Sequence, residues 1–246
     1  MRLLVTRPEP DAGAQAAELR NLGHEPVLQP LLEFEALDFD QAAFSSADGL
    51  IVTSRNALRA LAAKPGPEKI ARCPVFCVGS ETERRLREAG FETMAAVAET
   101  AEELAGKIAS AVGNGARLVH ATGEHQAFDL AQALAPHGIS VSMLPVYTMK
   151  ARGSFDSRVV AEIEQGALGG AILMSPRTAE IFAFLCEKHG ILERARFLDY
   201  FCLAKSVANK LKALGPVQVH IASKPDRAAL LALLPPPSTR GQDRMR

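Results

Sequence analysis

The sequence predicts an α/β protein of two similar units with parallel sheets. Three observations carry the prediction: short apolar β-type runs alternate with helical patterns, part of that pattern is duplicated, and the length suits two ordinary domains. The runs are Leu3-Leu4-Val5, Pro26-Val27-Leu28, Leu50-Ile51-Val52, Val75-Phe76-Cys77-Val78, Leu118-Val119, 139–141, Ile172-Leu173-Met174, Phe201-Cys202-Leu203 and 217–221. Such alternation argues for parallel strands covered by helices. The helices are signalled by the spacing of Ala57, Leu58 and Leu61, by Leu86 before Gly90, and by Leu211 and Leu214 before Gly215, with glycine as the stop. Thr100-Ala101-Glu102-Glu103 reads as a capping box opening another helix.

The duplication is visible without gaps. Residues 2–30 laid on 117–145 align Arg2, Leu3, Glu9, Ala12, Ala16, Leu19, Gly23 and Pro30 with identical residues, where chance would give about two or three. A second match lays Phe76-Cys77, Leu86 and Gly90 on Phe201-Cys202, Leu211 and Gly215. Independent construction of two similar strand–helix units is the alternative. Two such units are expected to leave a cleft between them as the ligand site.

The chain has 246 residues, is 48% hydrophobic, and balances 28 Lys and Arg against 28 Asp and Glu, for a formal net charge of +0. That composition suits a soluble globular protein and lacks the basic excess of a general nucleic-acid binder. No apolar run approaches the roughly 20 residues of a membrane helix, and the start reaches Arg7-Pro8 too soon for a signal peptide, so the cytoplasm is expected. Cys73, Cys77, Cys186 and Cys202 form no CxxC pair and read as reduced thiols. His120 with His125, and Cys186 with His189, are pairs without further partners, so no metal site is expected. Nothing indicates association, and a monomer is expected. The residues from Pro235-Pro236-Pro237 onward lack an apolar period, and 236–246 are expected to be a mobile tail.

Chemistry is sought at the strand-to-helix turns, which in parallel sheets present backbone N–H groups to anions. Six of them are polar: Thr6-Arg7-Pro8, Thr53-Ser54-Arg55-Asn56, Gly79-Ser80-Glu81-Thr82, Thr122-Gly123-Glu124, Ser175-Pro176-Arg177-Thr178 and Lys205-Ser206. Each alone reads as a helix cap. Together, in both halves, they favour a carboxylate or phosphate ligand. The glycine-rich nucleotide loops and the nucleophile elbow are absent, so no nucleotide cofactor is indicated. Tyr147, in Leu144-Pro145-Val146-Tyr147-Thr148, lies just beyond the repeat of Pro30. A phenol there either donates a proton or hydrogen bond to a ligand or packs the connection as an aromatic.

The order of Leu4-Val5-Thr6-Arg7-Pro8, Ile51-Val52-Thr53-Ser54-Arg55-Asn56-Ala57, Phe76-Cys77-Val78-Gly79-Ser80-Glu81-Thr82, Leu144-Pro145-Val146-Tyr147 and Met174-Ser175-Pro176-Arg177-Thr178-Ala179 resembles the uroporphyrinogen-III synthase family. The resemblance implies two flavodoxin-like or Rossmann-like domains, the first made of 1–33 and 151–235 and the second of 37–146. Segments 34–36 and 147–150 would be a two-stranded linker. The repeat alone would cut near Gly113 to Gly115; the family arrangement instead exchanges the leading strand–helix–strand pieces. The resemblance also implies cofactor-free cyclisation of hydroxymethylbilane, a linear tetrapyrrole polycarboxylate, with loss of water and inversion of ring D. It makes Tyr147 the candidate proton donor. Arg7, Thr53, Ser54, Arg55, Gly79, Ser80, Thr82, Gly123, Ser175, Lys205 and Ser206 become candidate carboxylate binders. Many relatives carry an Arg soon after the glycine matching Gly123, whereas this chain has Gln126-Ala127 after His125, leaving Arg55 and Lys205 to supply charge. A two-domain anion-binding or sensor protein, and a catalytically silent relative, are the competing expectations.

Overall fold

The structure, a computed structural model describing residues 1–63, 72–124 and 128–236, divides the chain into two units. One comprises Met1–Glu33 with the chain from Lys150 onward, and the other is the contiguous stretch Phe34–Met149. Each is a parallel α/β unit, as the sequence predicts.

The first unit pairs β1 (Arg2–Val5), β2 (Glu25–Leu28), β9 (Gly170–Leu173), β10 (Asp199–Cys202) and β11 (Gln218–Ile221) in the order β2-β1-β9-β10-β11, all parallel. The second contains β4 (Gly49–Val52), β5 (Val75–Val78), β6 (Met94–Ala98), β7 (Arg117–Gly123) and β8 (Ser140–Ala151) in the order β8-β7-β4-β5-β6. These pairs are parallel too, and β3 (Leu32–Ala36) lies against β8 at the sheet edge. Both sheets therefore share one spatial order. The repeated piece, β1–helix–β2, opens the first unit, and its counterpart, β7–helix–β8, closes the second. Segments 34–36 and 147–150 are carried by β3 and β8, where the chain passes between units.

Successive strand residues point to opposite faces, which gives each sheet two apolar layers. In the first unit Leu4, Ala171 and Tyr200 face a layer holding Phe155, Phe182 and Cys186. Leu3, Val5, Ile172 and Phe201 face Leu19 and Leu230 on the other side. In the second, Leu50, Val52 and Val75 pack with Leu58, Leu61 and Leu86, while Ile51 and Phe76 pack with Leu104 and Ile108. The four cysteines are unpaired thiols, with Cys73 half-buried and the others buried.

Local signals explain the helices that cover these sheets. Helix Arg55–Ala62 buries Ala57, Leu58, Ala60 and Leu61 and is capped by Ser54. Thr100 caps Ala101–Ala111 through Glu103 N–H, and the Glu103 carboxylate accepts from Glu99 N–H, one residue outside the usual box. The stretch before Gly215 departs from the expected α-helix: Lys205–Ala208 is a single α turn that continues as a 3-10 helix over Asn209–Leu214. Three residues per turn put Leu211 and Leu214 on one buried face, which the shared i, i+3 spacing does not distinguish from an α-helix. No helix among the described residues is long and apolar enough to cross a membrane. Residues 237–246, most of the expected tail, lie outside the described residues.

Candidate functional site

Parallel sheets bind ligands where neighbouring strands send their connections in opposite directions, leaving a crevice beyond the strand ends. In the second unit that point lies between β4, which continues to β5, and β7, which continues to β8 on the other side. The turns there are Thr53-Ser54 and Thr122-Gly123.

Tyr147 reaches this point because β7 and β8 slip register: Thr122 pairs Pro145, and Gly123 then pairs Tyr147, leaving Val146 as the extra residue. A bulge of this kind re-aims a side chain. The Tyr147 ring lies directly on Gly123, where a Cβ would sit 2.7 Å from the ring carbon bearing the hydroxyl. Only glycine allows that approach. The Tyr147 ring also stacks on Phe34, with centroids 5.8 Å apart and planes at 23°, and the Arg59 guanidinium lies 4.1 Å from the Phe34 centroid.

The Tyr147 hydroxyl lies 3.1 Å from Ser54 Oγ, which itself accepts the Asn56 backbone N–H at 3.1 Å. The serine oxygen that accepts the Asn56 N–H keeps its own proton and a second lone pair, so either hydroxyl of the pair can donate to the other. Next to this pair, Thr53 Oγ1 lies 3.0 Å from His120 Nε2. Sequence reasoning weighed His120 only as a metal ligand. It lies instead inside β7, 2% exposed, and burial pushes its imidazole down to about 4.

A pH dependence follows from that burial. An unfolded histidine protonates near 6.5 and this folded one only near 4, so between those values the unfolded chain binds more protons and stability falls as pH drops. His24, also lowered by burial, adds in the same direction. The His120 share is about 3 kcal/mol over the window. Urea midpoints measured from about pH 7 down to about pH 4.5 are expected to fall less steeply in His120→Gln than in the parent protein.

The remaining candidate residues also lie at strand ends. Gly79, at φ +86°, is the N-cap of helix Ser80–Glu88, whose first turn holds exposed Ser80 and buried Thr82. Arg55 is exposed at the start of its helix. In the first unit the corresponding crevice lies between β1 and β9. Ser175 caps Pro176–Lys188 there by accepting Thr178 N–H at 3.1 Å, and its hydroxyl lies 2.7 Å from Thr178 Oγ1. Thr6 donates to the Ile172 carbonyl, Arg7 folds back onto Asp11, and Gln15, fully buried, donates to Met174 Sδ. Lys205 and Ser206 are exposed at the start of their short helix. Tyr147, Ser54, Thr53 and Gly123 thus form one cluster, joined by His120 and Phe34, which no motif had marked. Residues 125–127, where the expected Arg is missing, lie outside the described residues.

Among the described residues no group of three or more His, Cys, Asp or Glu could hold a metal ion. His189 faces Ser154 and the Phe155 N–H, while burial pushes the Cys186 thiol up to about 12.

The profile of the family described as "Uroporphyrinogen-III synthase HemD" matches residues 14–232. The chain belongs to the uroporphyrinogen-III synthase family. A curated family relative, "Porphyrin biosynthesis protein HemD" of Ruminiclostridium josui, is 24% identical over 193 residues, covering 74% of this chain and 38% of its own length. The chain thus spans well under half of that relative. Two solved structures share the fold. Uroporphyrinogen-III synthetase of Helicobacter pylori has a TM-score of 0.60 at 21% identity, covering 94% of this chain and 96% of its own. A mutant uroporphyrinogen III synthase of the extremely thermophilic bacterium Thermus thermophilus has a TM-score of 0.51 at 18% identity, with the same coverages of 94% and 96%.

Proposed function

We propose that the chain cyclises hydroxymethylbilane to uroporphyrinogen III, a cofactor-free hydro-lyase reaction of tetrapyrrole biosynthesis, as a monomer in the cytoplasm. The observation that carries the reading is a phenol, hydrogen-bonded at 3.1 Å to a helix-capping serine, at the strand crossover of a chain in this family.

The substrate is a linear tetrapyrrole with eight carboxylates. Helix starts and their hydroxyls bind carboxylates without requiring net positive charge, which suits a protein of formal charge +0. Thr53, Ser54, Arg55, Ser80, Thr82 and the backbone at Gly79 and Gly123 take this role in one unit. Arg7, Ser175, Lys205 and Ser206 take it in the other. The substrate also closes unaided, to the uninverted isomer, so the enzyme must favour one route over another. Holding the chain in a particular conformation is the principal lever.

In the first chemical step the C–O bond at ring A breaks and its electron pair leaves with oxygen. Tyr147 protonates the departing hydroxide to water, and the Ser54 hydroxyl stabilises the phenolate that remains. The resulting azafulvene is attacked by the substituted carbon of ring D. The spiro intermediate fragments and recloses with ring D inverted, and the proton lost on rearomatisation restores the phenol.

A coupled assay tests the proposal. Hydroxymethylbilane is generated in situ, the protein is added, and the oxidised porphyrins are separated by isomer. Predominant type III is expected. Type I alone from a folded sample, beside a working control enzyme, overturns the proposal in favour of an anion-binding protein without chemistry.

A further inference from the structure

His120 takes no part in the steps above, yet it puts a polar ring among the apolar residues of β4 and β7, with Ile51 as its register partner. Its Nε2 lies 3.0 Å from Thr53 Oγ1, and its Nδ1 has no hydrogen-bond partner among the described residues. A neutral imidazole carries one N–H and one bare nitrogen. With the proton on Nδ1, a buried N–H would be orphaned, an arrangement that folded proteins rarely contain. With the proton on Nε2, the donor is satisfied by the threonine oxygen. The hydrogen bond therefore runs from His120 Nε2–H to Thr53 Oγ1. Left alone, a threonine hydroxyl at a helix start readily turns back onto nearby backbone. Here one oxygen lone pair is occupied from inside the sheet, so the hydroxyl proton is directed away from the ring. Thr53 is half-buried and follows the last residue of β4, Val52, directly before Ser54.

We infer that His120 is a positioning residue that turns the Thr53 hydroxyl into a donor for a substrate carboxylate. The inference rests on the proposed cyclisation and deepens it, making Thr53 a donor supplied from behind. Burial supports the arrangement, because it keeps the ring neutral throughout the physiological range.

Two measurements test it. Nitrogen-15 NMR of the labelled protein is expected to show His120 as the Nε2–H tautomer, and an Nδ1–H tautomer overturns the inference. In steady-state assays with hydroxymethylbilane, His120→Leu and the near-isosteric Thr53→Val are each expected to raise KM about tenfold, more than they lower kcat, since each removes the same oriented hydrogen bond. The double variant should be no worse than either single one. His120→Gln, which returns an N–H donor near the Nε2 position, should recover much of the loss. Unchanged KM in folded single variants, or fully additive losses in the double variant, overturns the inference. A parent protein that forms no type III isomer removes the functional proposal instead. The NMR result then still decides the direction of the hydrogen bond.

Discussion

Replacing Tyr147 by Phe is expected to slow formation of the type III isomer by about tenfold to a hundredfold, the lower range for removing a general acid. The substitution takes away only the hydroxyl, 3.1 Å from Ser54 Oγ, and keeps the ring stacked on Phe34 and seated on Gly123. Packing is therefore preserved and the proton is isolated as the variable. The effect should appear in kcat, because the hydroxide leaves after the substrate is bound. The coupled isomer assay reads it directly. An unchanged rate would leave Tyr147 as an aromatic that packs β8 and would move the search for the proton donor elsewhere.

Phe182→Ala is expected to destabilise the first unit by about 4 kcal/mol, the middle of the range for deleting a buried phenyl ring. Phe182 is fully buried and makes edge contacts with Phe155 at 5.5 Å and Tyr200 at 5.7 Å between centroids. The cavity opens inside an apolar layer, beside Tyr200 on β10 and among the fully buried Leu185 and Cys186. Urea unfolding measures the loss. The chain has no tryptophan and two tyrosines, Tyr200 in the first unit and Tyr147 in the second, so tyrosine emission carries one reporter from each. The Tyr200 transition should move to lower urea while the Tyr147 transition stays near its place.

The fold class was legible because continuous Leu-Ile-Val runs and glycine stops are local signals. Leu50-Ile51-Val52 needs no partner to look like a strand. Met94–Ala98 was not legible: it contains three alanines and becomes β6 only because β5 offers it hydrogen bonds. Leu32–Ala36 was hidden by its two glutamates, which an edge strand tolerates. At the site, Tyr147 and the capping hydroxyls could be named from residue type and turn position. His120 could not be tied to Thr53, since they are far apart in sequence and meet only through β4–β7 pairing. Phe34 and Arg59 were silent for the same reason, and the register slip that seats Tyr147 on Gly123 leaves no mark in composition.

The exchange of strand pieces between the two sheets has a consequence for synthesis on the ribosome. Domains ordinarily complete in the order in which they emerge. Here β1, the strand that β9 must join, is made first but waits for β9, β10 and β11, whereas Phe34–Met149 is continuous and has every strand of its sheet once residue 151 is made. The second unit can thus close while the first 33 residues remain an unfinished sheet with an open apolar edge at β1. Nascent chains released shortly after residue 151 should combine a protease-resistant middle with a sticky leader, and this window is where a chaperone would be needed most.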